Sequence, residues 1–260
     1  MDETPLDAAH ARMTAAPDDD AARVAFYDVF ADTEIVLLLA GEGDADRVQP
    51  AVVEAGGARY VVVFDTEARL AGFSGRVADY AALSGRGLAE MLAGQGMGIA
   101  LNPDVAPSAM LIPAEAVHWL AATLAHAPQE AQGRVSAMAA PGALPPRLTE
   151  ALGRKLRGAG GLAEAAWLVP ATYQGGARGH LLAFVGAVPD AQPGLAAAVG
   201  EALTFSGIEA GAMDVTFVEP GTPVAERLGR IGLAVPLPRP VAPEGPAAPG
   251  MDPDRPPRLK

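Results

Sequence analysis

Chemistry has few places to happen in this chain. Three consecutive aspartates, Asp18 to Asp20, offer carboxylates to a divalent ion. Consecutive residues at a helix start point in different directions, however, and the D-x-D-x-D-G spacing of a calcium loop is missing. The three acids therefore read as charges that stabilise a helix N-terminus through its macrodipole. His118 and His126 share a helical segment but sit eight residues apart, about 12 Å along the axis, too far to share one ion. Ser74 in GFSGR lacks the glycine register of a nucleophile elbow. GQGMG enters an apolar run where a dinucleotide loop would leave one, so its amides present no helix start to a pyrophosphate. No G-x-x-x-x-G-K-[ST] occurs, and there is no cysteine for a thiolate ligand or nucleophile. Asp65, Asn102 and His180 are the best placed residues for an enzyme, and none has a partner in sequence. No metal or cofactor is expected, and the chain reads as non-enzymatic.

Composition narrows the class further. The net charge is −12 and there are only two lysines, Lys155 and Lys260, so the basic face that phosphate backbones require is missing and nucleic acid is not expected as a partner. MDETPLDAAH opens acidic where a signal peptide opens basic, and no apolar run reaches the roughly 20 residues that span a bilayer. The reading is a soluble cytoplasmic protein without a membrane partner. Half of its 260 residues are hydrophobic, enough for a core in each of two domains.

Those domains follow from periodicity. Thr4, Pro5 and Asp7 resemble a capping box ahead of Leu6, Ala9 and Met13. The next helix buries Phe26, Val29 and Phe30, and EIVLLLA follows as a strand. Residues 48–53, broken by Pro50, read as an edge strand. Val61 to Phe64 form an unbroken β-branched and aromatic run, as in a strand covered on both faces. Asp65 is expected to cap the short helix carrying Leu70 and Phe73. Ser84 opens a helix with Leu88, Met91 and Leu92; GIAL returns as a strand; Asn102 and Pro103 turn it into MLI. Pro113 is expected as the first residue of a helix whose Val117, Leu120, Ala121 and Leu124 make one buried stripe. Met91, Met97 and Met110, with Asn102, are the candidates for an adaptable ligand or partner groove, weighed against ordinary core filling.

VVVFDTEARL, Tyr80, GRGLAEML, GIALNP and the helix opened by Pro113 together resemble the N-terminal domain of the SseB family, named for enhanced serine sensitivity. FYDVFADTEIVLLL extends the likeness over most of residues 1–125. Residues 145–236 resemble that family's C-terminal domain more loosely. The resemblance implies a bacterial, cytoplasmic α+β protein without an assigned catalytic residue.

The expected organisation is an N-terminal domain at 1–125, a linker at 126–146 rich in Ala, Pro and Gly, a C-terminal α+β domain at 147–236, and a tail at 237–260. Both domains should hold mainly antiparallel sheets packed by helices. The tail contains eight of the 24 prolines and no apolar period, a composition that predicts disorder. Its end, with Arg255, Pro256, Pro257 and Arg258, is a candidate docking peptide. Three functions stand at this point. One is an interaction module for an unidentified protein partner; another is a binder or sensor of a small amino-acid-related metabolite; the last is an enzyme.

Overall fold

Thr4 opens the first helix with a full capping box, its hydroxyl accepting from the Asp7 amide while the Asp7 carboxylate accepts from the Thr4 amide. The computed structural model describes residues 3–41, 49–125, 134–142, 146–206 and 213–238. The first half runs α1 (Pro5–Ala15), α2 (Asp20–Asp32), β1 (Glu34–Leu38), β2 (Val52–Ala55), β3 (Ala58–Phe64), α3 (Glu67–Ser74), β4 (Tyr80–Ser84), α4 (Gly85–Leu92), β5 (Gly98–Leu101), β6 (Met110–Ile112) and α5 (Ala114–Leu124). Its sheet has the order β4-β1-β3-β5-β6, with β2 also on β3. All pairs are antiparallel except β3 with β5.

β3 is central, as its composition requires. Val61 and Val63 point into a core with Phe26, Phe30, Leu88, Ile99 and Leu120, while Val62 and Phe64 face Val36 and Leu70 on the opposite side. A strand covered on both faces must be apolar at every position, and residues 61 to 64 are all buried. The β2–β3 hairpin turns on Gly56 and Gly57, both at positive φ, a geometry that suits the right-handed twist of the strands it joins.

The second half runs β7 (Val135–Met138), α6 (Pro146–Lys155), a 3-10 turn at 156–158, β8 (Ala165–Tyr173), β9 (Arg178–Val185), α7 (Gln192–Phe205), β10 (Met213–Val218), α8 (Pro223–Ile231) and β11 (Leu233–Val235). The strand order is β10-β9-β8-β11 with β7 also on β8. Only β9 and β10, joined through α7, are parallel. The fold is α+β, with two mixed, mostly antiparallel sheets. Among the described residues no helix is long and apolar enough to cross a membrane.

Several local expectations change. Thr66, not Asp65, caps α3, because a threonine hydroxyl at that position reaches the Arg69 amide while the Asp65 carboxylate turns to the Arg69 guanidinium. Pro113 is the N-cap of α5 and not its first helical residue, its ψ of 158° being extended. Tyr80–Ser84 is a full edge strand where the sequence showed only an aromatic marker; its inward positions are only Ala81 and Leu83, too short an alternation to give a clear hydrophobic signal. Val135–Met138, within the stretch read as linker, pair with β8. The tail candidates Arg255, Pro256, Pro257 and Arg258, and His126, lie outside the described residues.

The halves meet through α2, α4, α6 and α7. Phe205, the last residue of α7, is buried in the core of the first half, with Trp119 edge-on at 6.3 Å. Asp28 and Asp32 of α2 face Arg154 and Lys155 of α6.

Candidate functional site

Two neighbouring constellations of polar side chains stand out, one sealed and one open. The sealed one joins α1, α3 and the turn after β5. Arg69 is almost wholly buried because α3 lies against the sheet, and its guanidinium must therefore find charge inside the protein. Nη1 donates to both Asp65 oxygens at 2.8 Å and to Asp7 Oδ1 at 3.1 Å, and Nη2 donates to Asp7 Oδ2. The Thr4 hydroxyl donates to Asp65 Oδ2 at 2.7 Å. Ser108 Oγ donates to Asp7 Oδ1 at 2.6 Å and accepts from Asn102 Nδ2 at 2.9 Å. Asn102 holds a left-handed φ of 47°, which its residue type tolerates, and its Oδ1 accepts the Asp65 amide at 3.1 Å. Burial alone would raise the Asp7 carboxyl, but hydrogen bonds from Arg69 and Ser108 outweigh it and hold Asp7 far below its usual range.

Could this cage do chemistry? Ser108 is fully buried, it has no histidine beside it, and its oxygen is already engaged by Asn102 and Asp7. Asp65 and Asn102, two of the three enzyme candidates, are thus brought together, but as fasteners between α1, α3 and the β5–β6 turn. His180 lies on β9 of the other sheet, opposite Pro170 and Met213. Met91, Met97 and Met110 are partly buried and pack on the first core. Ser74 donates to the Arg76 carbonyl at the exposed end of α3. Asp19 caps α2 through the Ala21 amide and pairs with Arg147, and Asp20 pairs with Arg23. Among the described residues no group of three or more acidic or histidine side chains could hold a metal ion.

The open constellation is a cleft of about 950 Å³ between the halves. Its floor on the first-half side includes Thr4, Asp65 and Thr66, so the cage forms part of its wall. Ser84, the N-cap of α4, and Arg86 come from the same half; Lys155, Arg157, Gly158, Gly194 and Glu201 come from the other. Lys155 is nearly buried, and its Nζ contacts Asp28 Oδ1 at 2.7 Å, Asp32 Oδ2 at 2.8 Å and Glu201 Oε2 at 3.1 Å. Arg86 grips Glu201 with two bonds of 2.7 and 2.8 Å and reaches Asp32 at 3.5 Å; Arg154 reaches Asp28 at 2.9 Å. Burial lowers an ammonium pKa, yet Asp28 and Asp32 prevail and Lys155 is raised above its ordinary 10.5. Burial raises the Glu201 carboxyl, but Arg86 and Lys155 bring it below its ordinary value. These six residues form a charge-balanced bridge between the halves.

The sequence reading missed this cleft. Arg86 and Glu201 are 115 residues apart, and Lys155, the only described lysine, was noted for its rarity and not for its place. A charge far from others in sequence, on an otherwise apolar helix such as α7, was the one available signal.

Residues 6–119 match the family described as the SseB protein N-terminal domain. No curated protein and no solved structure gives a significant match to the chain.

Proposed function

We propose that this chain, an SseB-family protein through its residues 6–119, acts by binding and not by turnover, taking a small polar molecule into the cleft between its halves. The observation that carries this reading is the cleft itself. Its volume of about 950 Å³ lies at the upper end of the range for small-molecule sites, and it sits at a junction between two sheet-centred halves, where such sites concentrate. Polar groups from both halves converge on it, and the nearby acids are held by cations or hydroxyls and are not poised as free bases. A molecule seated there touches α3 and α4 on one side and α6 and α7 on the other. It therefore stabilises one arrangement of the halves, which is what a sensor needs.

A thermal-shift screen of small polar metabolites tests this. A ligand at about 100 Kd adds roughly 2.7 kcal/mol of apparent stability. Gly158→Trp places an indole in the cleft at a position where an added Cβ meets nothing within 4 Å, and it should abolish the shift. A ligand whose shift survives that substitution binds elsewhere and removes the reading.

Partner binding is the second reading, and one feature favours it. Among the described residues nothing pairs with the outer edge of β4, and Phe73, Val77 and Tyr80 are exposed beside it, Val77 at 99%. An unpaired edge with apolar neighbours is a template for an added strand. Tyr80→Lys should release any partner held there and leave the thermal-shift screen unchanged.

A further inference from the structure

Resting on the cleft as the ligand site, we infer that the ligand is a small anion, carrying a carboxylate or a phosphoryl group, with Arg157 as its principal cation. The protein as a whole carries −12, so an anion must find a local exception. The cleft provides one. In the bridge, Arg86, Arg154 and Lys155 are matched against Asp28, Asp32 and Glu201. Arg157 lines the same cleft from the 3-10 turn after α6, is exposed, and has no ion pair among the described residues. It is the cation left over.

The cage needs the same accounting, since Asp7 and Asp65 outnumber Arg69. The surplus negative charge belongs to Asp7, which does not line the cleft. It is absorbed by Ser108, by the Thr4 amide and by the N-terminal turn of α1. Asp65, which does line the cleft, keeps both oxygens on Arg69 and one on the Thr4 hydroxyl.

Neutral donors complete the site. Thr66 and Ser84 each accept a backbone amide of their own helix, from Arg69 and Gly87, so each hydroxyl hydrogen remains to be given to a ligand oxygen. The first turns of α3 and α4 reach the cleft through these residues and add positive potential. Gly158 and Gly194 leave the opposite wall without side chains, which is where the ligand body is accommodated. A guanidinium fork plus two hydroxyl donors is a recognition set for a planar carboxylate or a phosphoryl group, and the carboxylates that share the cleft, Asp32, Asp65 and Glu201, are each already paired with a cation of the protein.

The test uses the full chain, with succinate, inorganic phosphate, putrescine and glycerol as probes at matched ionic strength, followed by calorimetry. Variants are Arg157→Gln, Gly158→Trp and, as a second filler, Gly194→Trp, each checked for folding by far-ultraviolet circular dichroism. The expected result is saturable binding of succinate or phosphate, weakened about tenfold or more by Arg157→Gln and lost in both filled variants. Whichever of the two binds more tightly identifies the carboxylate or the phosphoryl source. If putrescine or glycerol binds, is unaffected by Arg157→Gln and is lost in the filled variants, the cleft stands and the anion inference falls. If no probe saturates, or if binding ignores both fillers, the cleft reading falls with it.

Discussion

Arg69→Met removes a guanidinium from a place where water cannot replace it. Two carboxylates lose their common partner at once, Asp7 with a side chain about 4% exposed and Asp65 about 1%. Removing one partner of a buried pair costs about 3–5 kcal/mol. The lower end applies here, because Asp7 keeps Ser108 and the Thr4 amide, and Asp65 keeps the Thr4 hydroxyl. About 3 kcal/mol corresponds to a fall in melting temperature of roughly 6–12 °C for a chain of this size. The chain has two tryptophans, Trp119 on α5 and Trp167 on β8, so each half carries its own reporter. In a Trp167→Phe background, urea unfolding followed by Trp119 fluorescence should show the loss. The sign of the pH dependence is also fixed. In the native chain Asp7 lies far below its ordinary 3.8, so its contribution is present above that pH and disappears as the pH falls through the lowered value. Without Arg69 the pull that lowers Asp7 is weaker while the burial that raises it remains, so Asp7 takes its proton at a higher pH than in the native chain. The deficit is then largest near neutrality and narrows in acid as Asp7 takes a proton. A variant that loses less than 1 kcal/mol at pH 7, or whose deficit widens in acid, refutes the view that the cage fastens α1 to α3.

Lys155→Met should cost about 2 kcal/mol, less than the usual price of a broken buried pair because Asp28 retains Arg154 and Glu201 retains Arg86. Since Lys155 is raised above 10.5, the wild-type advantage holds in full below that pH and is lost as the pH rises through the raised value; melts at pH 7 and pH 11 check this. A gap that persists unchanged at pH 11 would mean the ammonium is not the source. Gly85→Ala should destabilise by about 1–3 kcal/mol, because its Cβ would lie 1.9 Å from the Phe30 carbonyl oxygen and α4 would have to move off α2. Gly72→Ala, with nothing within 4 Å of the new Cβ in an ordinary helix, should gain up to about 1 kcal/mol; denaturant melts of the two separate contact from propensity.

Much of the fold was legible from local rules. The capping box at Thr4, the acidic helix start at Asp18 to Asp20, the helix opened by Ser84, the central strand at Val61 to Phe64 and the turn at Asn102 are each written in a few adjacent residues. Short-range hydrogen bonds and the two periods of side-chain direction need no distant partner to be recognised. By itself the sequence therefore determined the α+β class and the order of most elements. Tyr80–Ser84 escaped because only Ala81 and Leu83 mark its inward face, and the cap of α3 was assigned one residue early because Asp65 and Thr66 are both good caps and only the position of Arg69 chooses between them. Tertiary structure alone decided the rest. It turned Asp7, Asp65, Arg69, Asn102 and Ser108 into one cage across 101 residues, and it placed Arg86 against Glu201 across 115. Charge pairing of that kind has no period and no preferred sequence spacing. Its energy depends on burial and distance, and neither exists until the helices have packed.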